Sequence, residues 1–390
     1  MSKYAAYPRG KSVFKNYKVL DFDYVPKELP HRDSQLKRLF TIFSPIADSN
    51  VSQNAFLTGP TGTGKTVLSK KFCMDFQDFA RKGGKNVQFV LVNCRQRNTE
   101  NAVMLRLLTH FQPYFPDRGF SINEMMESLR KELEKEKAHL IVVLDEVDVL
   151  LKKTKSSDII YHFSRFNEEG IEAKKLLSII LISQKNVLDM LDLPSLSTFK
   201  RGNIVKLDKY ARDELLSILE QRIELAFHPD AVDLGVGDLI SDIASEWGDA
   251  RFAIELLEKA GMLADENKEQ IVNPEHVRAA KAETYSTVTE SKLKDLDKNR
   301  KLILMAISRS LKKKAYTTTG DAEKMYALVC EEFEEKKLGH TQFWKYLKEL
   351  DDVGIVQAKK SSKGLVGTTT LISIPDIPAK VLEEKLMGML

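Results

Sequence analysis

A glycine-rich octet, Gly59-Pro60-Thr61-Gly62-Thr63-Gly64-Lys65-Thr66, carries the spacing GxxxxGK[ST]. Glycines at those positions let successive backbone N–H groups turn inward around a phosphate chain. The lysine adds a point charge and the threonine hydroxyl is a ligand for Mg2+. Together with Val67 in the helix that follows, the octet is the predicted binding loop for ATP or ADP with Mg2+. Downstream, the apolar run Leu140–Leu144 ends in Asp145-Glu146. Acids delivered at the carboxyl end of a buried strand suit Asp145 to join Thr66 on the metal, and Glu146 to orient or deprotonate an attacking water.

The elements that must hold these groups follow from periodicity. A short strand at 55–58 runs into the glycine loop. Helix 66–81, strand 87–93, helix 100–110, helix 122–137, strand 140–144, helix 159–167 and strand 177–183 come next, with an irregular stretch at 112–120. Helices alternating with short apolar strands predict a parallel sheet covered on both faces. From Tyr210 to about Tyr285 the strand signal stops: Leu215, Leu219 and Ile223 step by four, and Asn273-Pro274 reads as a helix cap and first turn. The last hundred residues predict helices at 301–311, 322–335 and 341–350, then two strand-like runs, 355–359 and 368–374. Three helices and a hairpin with a basic tip describe a winged helix-turn-helix.

Composition bounds the rest. At 390 residues the chain is expected to form two or three domains, at about 150 residues each. A hydrophobic fraction of 43% with 30% charged residues fits a folded globular protein. No apolar stretch approaches the roughly 18 residues of a membrane span, and MSKYAAYPRGK has no signal core, so a cytoplasmic protein without membrane partners is expected. The three cysteines are scattered without CxxC spacing, which suggests neither a disulfide framework nor a zinc site. A net charge of +4 is too small to establish a polyanionic partner.

Any nucleic-acid reading therefore rests on where the lysines lie. In the third helix of the winged unit, Phe343, Leu347 and Leu350 form a buried stripe, leaving Thr341, Gln342, Lys345 and Lys348 open, the side a recognition helix turns to the major groove. The hairpin tip contributes Lys359, Lys360 and Lys363, suited to phosphates of duplex DNA, and Lys312-Lys313-Lys314 forms a further cluster. A winged helix that meets protein instead of DNA remains open at this point.

Several boxes along the chain resemble the AAA+ replication initiators of archaea, relatives of the largest subunit of the eukaryotic origin recognition complex and of cell division control protein six. They are Leu29-Pro30-His31-Arg32, the phosphate loop, Val92-Asn93-Cys94, the 116–121 segment Pro-Asp-Arg-Gly-Phe-Ser, Leu144-Asp-Glu-Val-Asp148, Tyr210 with Arg222, and Gly248-Asp-Ala-Arg251. The resemblance implies an α/β AAA+ P-loop domain over 1–207 with an N-terminal adenine-contacting segment, an all-helical lid over 208–290 and a winged-helix DNA-binding domain over 291–390. It implies further that the backbone near His31 and Arg32 cradles adenine, that Tyr210 and Arg222 touch nucleotide, that Arg251 is a second sensor for the γ-phosphate, and that Arg118 lies near the duplex. Origin DNA, the replicative helicase and paralogous initiators are the partners implied.

Two departures stand out. Gln184 occupies the place where the family usually has an asparagine sensor, and no basic residue follows Leu191-Asp192 until Lys200 and Arg201. An arginine finger is worth about 10³–10⁵ in rate, so its lack predicts slow hydrolysis. The alternatives left open are an AAA+ winged-helix transcription or plasmid regulator and, less favoured, a clamp-loader or remodelling ATPase.

Overall fold

The computed structural model describes residues 12–49, 51–154, 158–166, 176–187, 190–191, 196, 203–285, 293–294, 296–312, 314–360, 370–374 and 377–390. The chain forms two compact units: Asp23–Tyr210, and Ala211–Leu390 together with the segment that ends at Phe22.

In the first unit, β1 (Asn54–Thr58), β2 (Asn86–Asn93), β3 (Ala138–Asp145), β4 (Leu177–Ser183) and β5 (Ile204–Lys206) form a parallel sheet in the order β2-β3-β4-β1-β5. Every residue of β3 and β4 is buried, which is why these strands read as uninterrupted apolar runs instead of alternating ones. Their side chains still divide by face. Leu140, Val142, Leu144, Ile179 and Leu181 join the core under helices Glu100–Phe111, Ile122–Lys135, Val147–Thr154 and Asp158–Arg165. Ile141, Val143, Ile180 and Ile182 join the core under Asp33–Ser49 and Lys65–Lys82. The register pairs Asn93 with Asp145 and Thr58 with both Ser183 and Lys206, so all five strands end at one edge. Helix Val147–Thr154 and strand β5 were not anticipated. Three residues give β5 too little length to show a period.

In the second unit, helices Arg212–Ala226, Leu234–Ser245, Ala250–Glu266 and Pro274–Tyr285 form the lid, and the Asn273 side chain caps the last, accepting from the amides of Glu275 and His276. The N-terminal segment was expected with the sheet domain. Instead, residues 12–22 pack on the lid: Lys15 and Asn16 donate to the Ala226 carbonyl, and His228 donates to that of Val13. Phe14 fits over Gly261, where an added Cβ would stand 2.4 Å from the ring, so only glycine permits that approach. Helices Lys298–Ser310, Thr319–Glu332 and His340–Asp352 and the antiparallel strands β6 (Thr317–Thr318), β7 (Gln357–Lys360) and β8 (Thr370–Ser373), in the order β6-β8-β7, make the winged helix. Helix Ala379–Met387 closes its core with Ala379, Leu382 and Leu386.

Lid and winged helix are joined by Arg278, which is fully buried. Its Nε donates to the Ile374 carbonyl at 2.9 Å, one terminal nitrogen donates to the Lys314 and Ala315 carbonyls at 2.7 and 3.1 Å, and the other pairs with Glu275 at 2.5 Å. Arg278→Met would strand two buried carbonyls, one half-buried carbonyl and one carboxylate. It is expected to destabilise this unit by about 3 kcal/mol, read by denaturant unfolding.

Candidate functional site

The phosphate-binding loop leaves β1 at Gly59, where a Cβ would stand 2.2 Å from the Leu207 carbonyl oxygen. It enters helix Lys65–Lys82 through Gly64 at φ 84°, a left-handed conformation that favours glycine. Thr63 Oγ1 donates to the Pro60 carbonyl at 2.9 Å. Lys65 Nζ donates to the Gly59 and Pro60 carbonyls, each at 2.7 Å, so its ammonium lies against its own loop. Thr61, Gly62 and Val67 complete the stretch, with Gly62 at φ 73°.

Asp145 meets this loop from the end of β3. Its Oδ2 accepts the Thr66 hydroxyl at 2.6 Å and its Oδ1 accepts the Glu146 amide at 2.9 Å. Only 6% of the residue is exposed, and burial is the main reason its carboxyl sits above the usual aspartate range, with the Thr66 hydroxyl and the Lys65 charge working against that shift. A buried carboxylate beside a hydroxyl suits a hard divalent cation that completes its shell with phosphate oxygens and water. Thr66 and Asp145 would hold Mg2+, which would supply charge neutralisation at the phosphates. Among the described residues no group of three or more His, Cys, Asp or Glu side chains forms a metal cage.

Glu146 adopts φ 55°, a conformation uncommon outside glycine that concentrates at functional positions. Its carboxylate is engaged by Arg95 at 3.2 Å, a partner not singled out in the sequence. Asn93 Oδ1 accepts the amides of Arg95 and Gln96 and fixes that turn. At the end of β4, Ser183 Oγ donates to Asp148 at 2.9 Å, while Gln184 lies just beyond the strand with its side chain exposed.

His31 is exposed at φ 60°. Arg32 is buried: Nε and a terminal nitrogen donate to the Thr63 carbonyl at 3.3 and 3.2 Å, the same terminal nitrogen reaches the Asp208 carbonyl at 3.1 Å, and the guanidinium stacks 3.8 Å over the Tyr210 ring. In the second unit, Arg222 is buried and donates to the Val19 carbonyl at 2.7 Å. Arg251 follows the cap residue Asp249 and lies 5.4 Å over the Phe22 ring.

In the winged helix, Phe343, Leu347 and Leu350 are buried as the period required, with Thr341, Lys345 and Lys348 exposed and Gln342 partly so. Tyr346, on the same helix, is covered by the Arg300 guanidinium at 4.4 Å. Arg118 is exposed in the loop where Phe115 and Phe120 pack together at 5.0 Å. Lys360 is exposed, but Lys359 differs from the free wing lysine expected: it pairs with Asp242 of the lid at 3.2 Å while half exposed. Asp242 also accepts from Arg212 at 3.0 Å and Tyr316 at 2.5 Å. Lys312, part of the predicted cluster, pairs with Glu383 at 2.6 Å. Lys363 lies outside the described residues, as does most of 192–202.

Comparison with known proteins matches three family models: "AAA domain" over residues 50–191, "Cdc6 AAA+ ATPase-type lid domain" over 216–282, and "CDC6, C terminal winged helix domain" over 291–384. The ORC1-type DNA replication protein 2 of Sulfurisphaera tokodaii is 32% identical over 378 residues, covering 94% of this chain and 90% of that protein. The crystal structure of Cdc6p from Pyrobaculum aerophilum superposes with TM-score 0.81 at 28% identity, covering 97% and 98% of the two chains. The Aeropyrum pernix ORC1 protein, solved in complex with DNA, gives TM-score 0.63 at 30% identity over 96% of this chain and 97% of that one.

Because burial raises the Asp145 pKa in the folded protein, any stability from this group is present at low pH and lost as pH rises through the folded-state pKa. Asp145→Asn keeps an acceptor for the Glu146 amide and a partner for Thr66 without the charge. At neutral pH the nucleotide-free variant is expected to melt no lower than wild type, with any advantage fading as pH falls, while the Mg2+-dependent part of nucleotide affinity is lost.

Proposed function

The chain belongs to the archaeal Cdc6/Orc1 family of replication initiators, and from that premise we propose an ATP-controlled initiator that binds duplex DNA at origins, helps recruit the replicative helicase and hydrolyses ATP slowly. The observation that carries the DNA reading is the helix His340–Asp352, whose buried Phe343, Leu347 and Leu350 leave Thr341, Lys345 and Lys348 facing out. An amphipathic helix with a polar, basic outer face in a winged-helix fold suits the major groove. Gln342, Lys360, Lys363 and Arg118 add contacts, and Lys359 joins them on leaving Asp242. The Aeropyrum pernix relative solved with DNA supports the same assignment.

ATP or ADP binds at Gly59–Val67 with Mg2+ on Thr66 and Asp145. The His31-Arg32 backbone, Tyr210 and Arg222 serve the base, and Arg251 senses the terminal phosphate. Slow hydrolysis is supported by the engagement of Glu146 with Arg95 and the exposed position of Gln184. A nucleotide turned over slowly acts as a switch that persists through DNA binding and recruitment of the helicase and paralogous initiators.

Titrating a random duplex at several salt concentrations tests the interface. Each phosphate contact contributes about 0.9 to the slope of log affinity against log salt. The Lys345→Ala, Lys348→Ala double variant is expected to lower that slope by nearly 2. An unchanged slope would remove this face from the DNA.

A further inference from the structure

Arg32 differs from the buried Arg278 in its partners. Arg278 is sealed in the second unit against Glu275, whereas Arg32, 4% exposed, meets no carboxylate among the described residues. Its contacts are the carbonyl oxygens of His31, Thr63 and Asp208 and the face of Tyr210. Carbonyl dipoles and a ring quadrupole offset part of a buried positive charge, and a full counter-charge is absent.

Its principal acceptor belongs to the phosphate loop. The Thr63 carbonyl shares its peptide plane with the Gly64 amide, and in a trans peptide the two point in opposite directions. No cis peptide is present among the described residues. With the carbonyl drawn onto Arg32, the Gly64 N–H is turned to the other side. The Tyr210 hydroxyl lies 3.1 Å from where a Gly64 Cβ would stand, closing off the space beside that peptide.

We infer that Arg32 is a positioning residue for phosphate binding: it sets the Thr63–Gly64 peptide so that its N–H serves the phosphates, and its buried charge is balanced when the polyphosphate arrives. This rests on the nucleotide assignment made above and gives the Arg32 side chain a role distinct from adenine contact by its backbone. A group that acts through the loop and through charge must favour ligands with phosphates over the nucleoside alone.

The test is displacement of a fluorescent ADP analogue from the full chain by Mg-ATP and by adenosine, with melting of the nucleotide-free protein recorded in parallel. Arg32→Gln is expected to weaken ATP about tenfold or more while changing adenosine less than about twofold, in keeping with the loss of charge-assisted hydrogen bonds. Arg32→Lys keeps the charge but loses the fork and the stack, so it is expected to lose less, again for ATP and not for adenosine. If Arg32→Gln does not fold, the comparison is read from Arg32→Lys alone. Unchanged ATP affinity, or equal loss for ATP and adenosine together with a lowered melting temperature, overturns the inference. Failure of wild type to bind the fluorescent analogue would instead overturn the nucleotide assignment itself.

Discussion

The hydrogen bond from Thr66 to Asp145 is the constraint on which the rest of the first unit turns. It joins the first helical turn after the phosphate loop to the end of a strand buried on both faces. It is possible only because the sheet order sets β4 between β3 and β1 and the register ends these strands at one edge. Burial at that depth disfavours the charged form of the Asp145 carboxyl. A cation brought in with a polyphosphate would relieve that penalty, so ligand binding would draw on an electrostatic cost already built into the fold.

The second unit has its own charged centre. Asp242, nearly buried, gathers Arg212 from the first lid helix, Tyr316 from the approach to β6 and Lys359 from the wing strand. Arg278 does the same with backbone carbonyls a short distance along the chain. Lid and winged helix are thus fastened by directional contacts as well as apolar packing. Such contacts fix orientation, and truncating one partner leaves the other buried and unsatisfied.

The parts legible in the sequence were those whose chemistry and spacing coincide. The loop Gly59–Thr66 and the Asp145-Glu146 pair were readable as a strand–loop–helix turn and a strand end because their residue types and order are specific, and the structure brings them together through Thr66 and Asp145. Strands β3 and β4 were readable because burial on both faces leaves an apolar run. The stripe Phe343, Leu347 and Leu350 was readable because a helix repeats every 3.6 residues. What was hidden depended on backbone groups or on distant side chains. Residues 12–22 are held on the lid partly by main-chain hydrogen bonds, which leave no side-chain pattern, and partly by distant side chains such as Phe14 over Gly261. The attachment of Arg32 is to carbonyls, and the attachment of Lys359 is to an aspartate in another domain; neither partner is announced by local sequence. Helix Val147–Thr154 spans only 8 residues, about two turns, too few to show a clear apolar period.

The central claim is a division of labour: the loop around Lys65 holds nucleotide and the C-terminal part of the chain holds DNA. It is tested most directly by measuring both affinities on Lys65→Ala, with Mg-ATP by calorimetry and with an origin duplex in nucleotide-free buffer. The account predicts that nucleotide binding disappears while nucleotide-free DNA affinity matches wild type. Parallel loss of both, or retention of Mg-ATP binding by the variant, would contradict it.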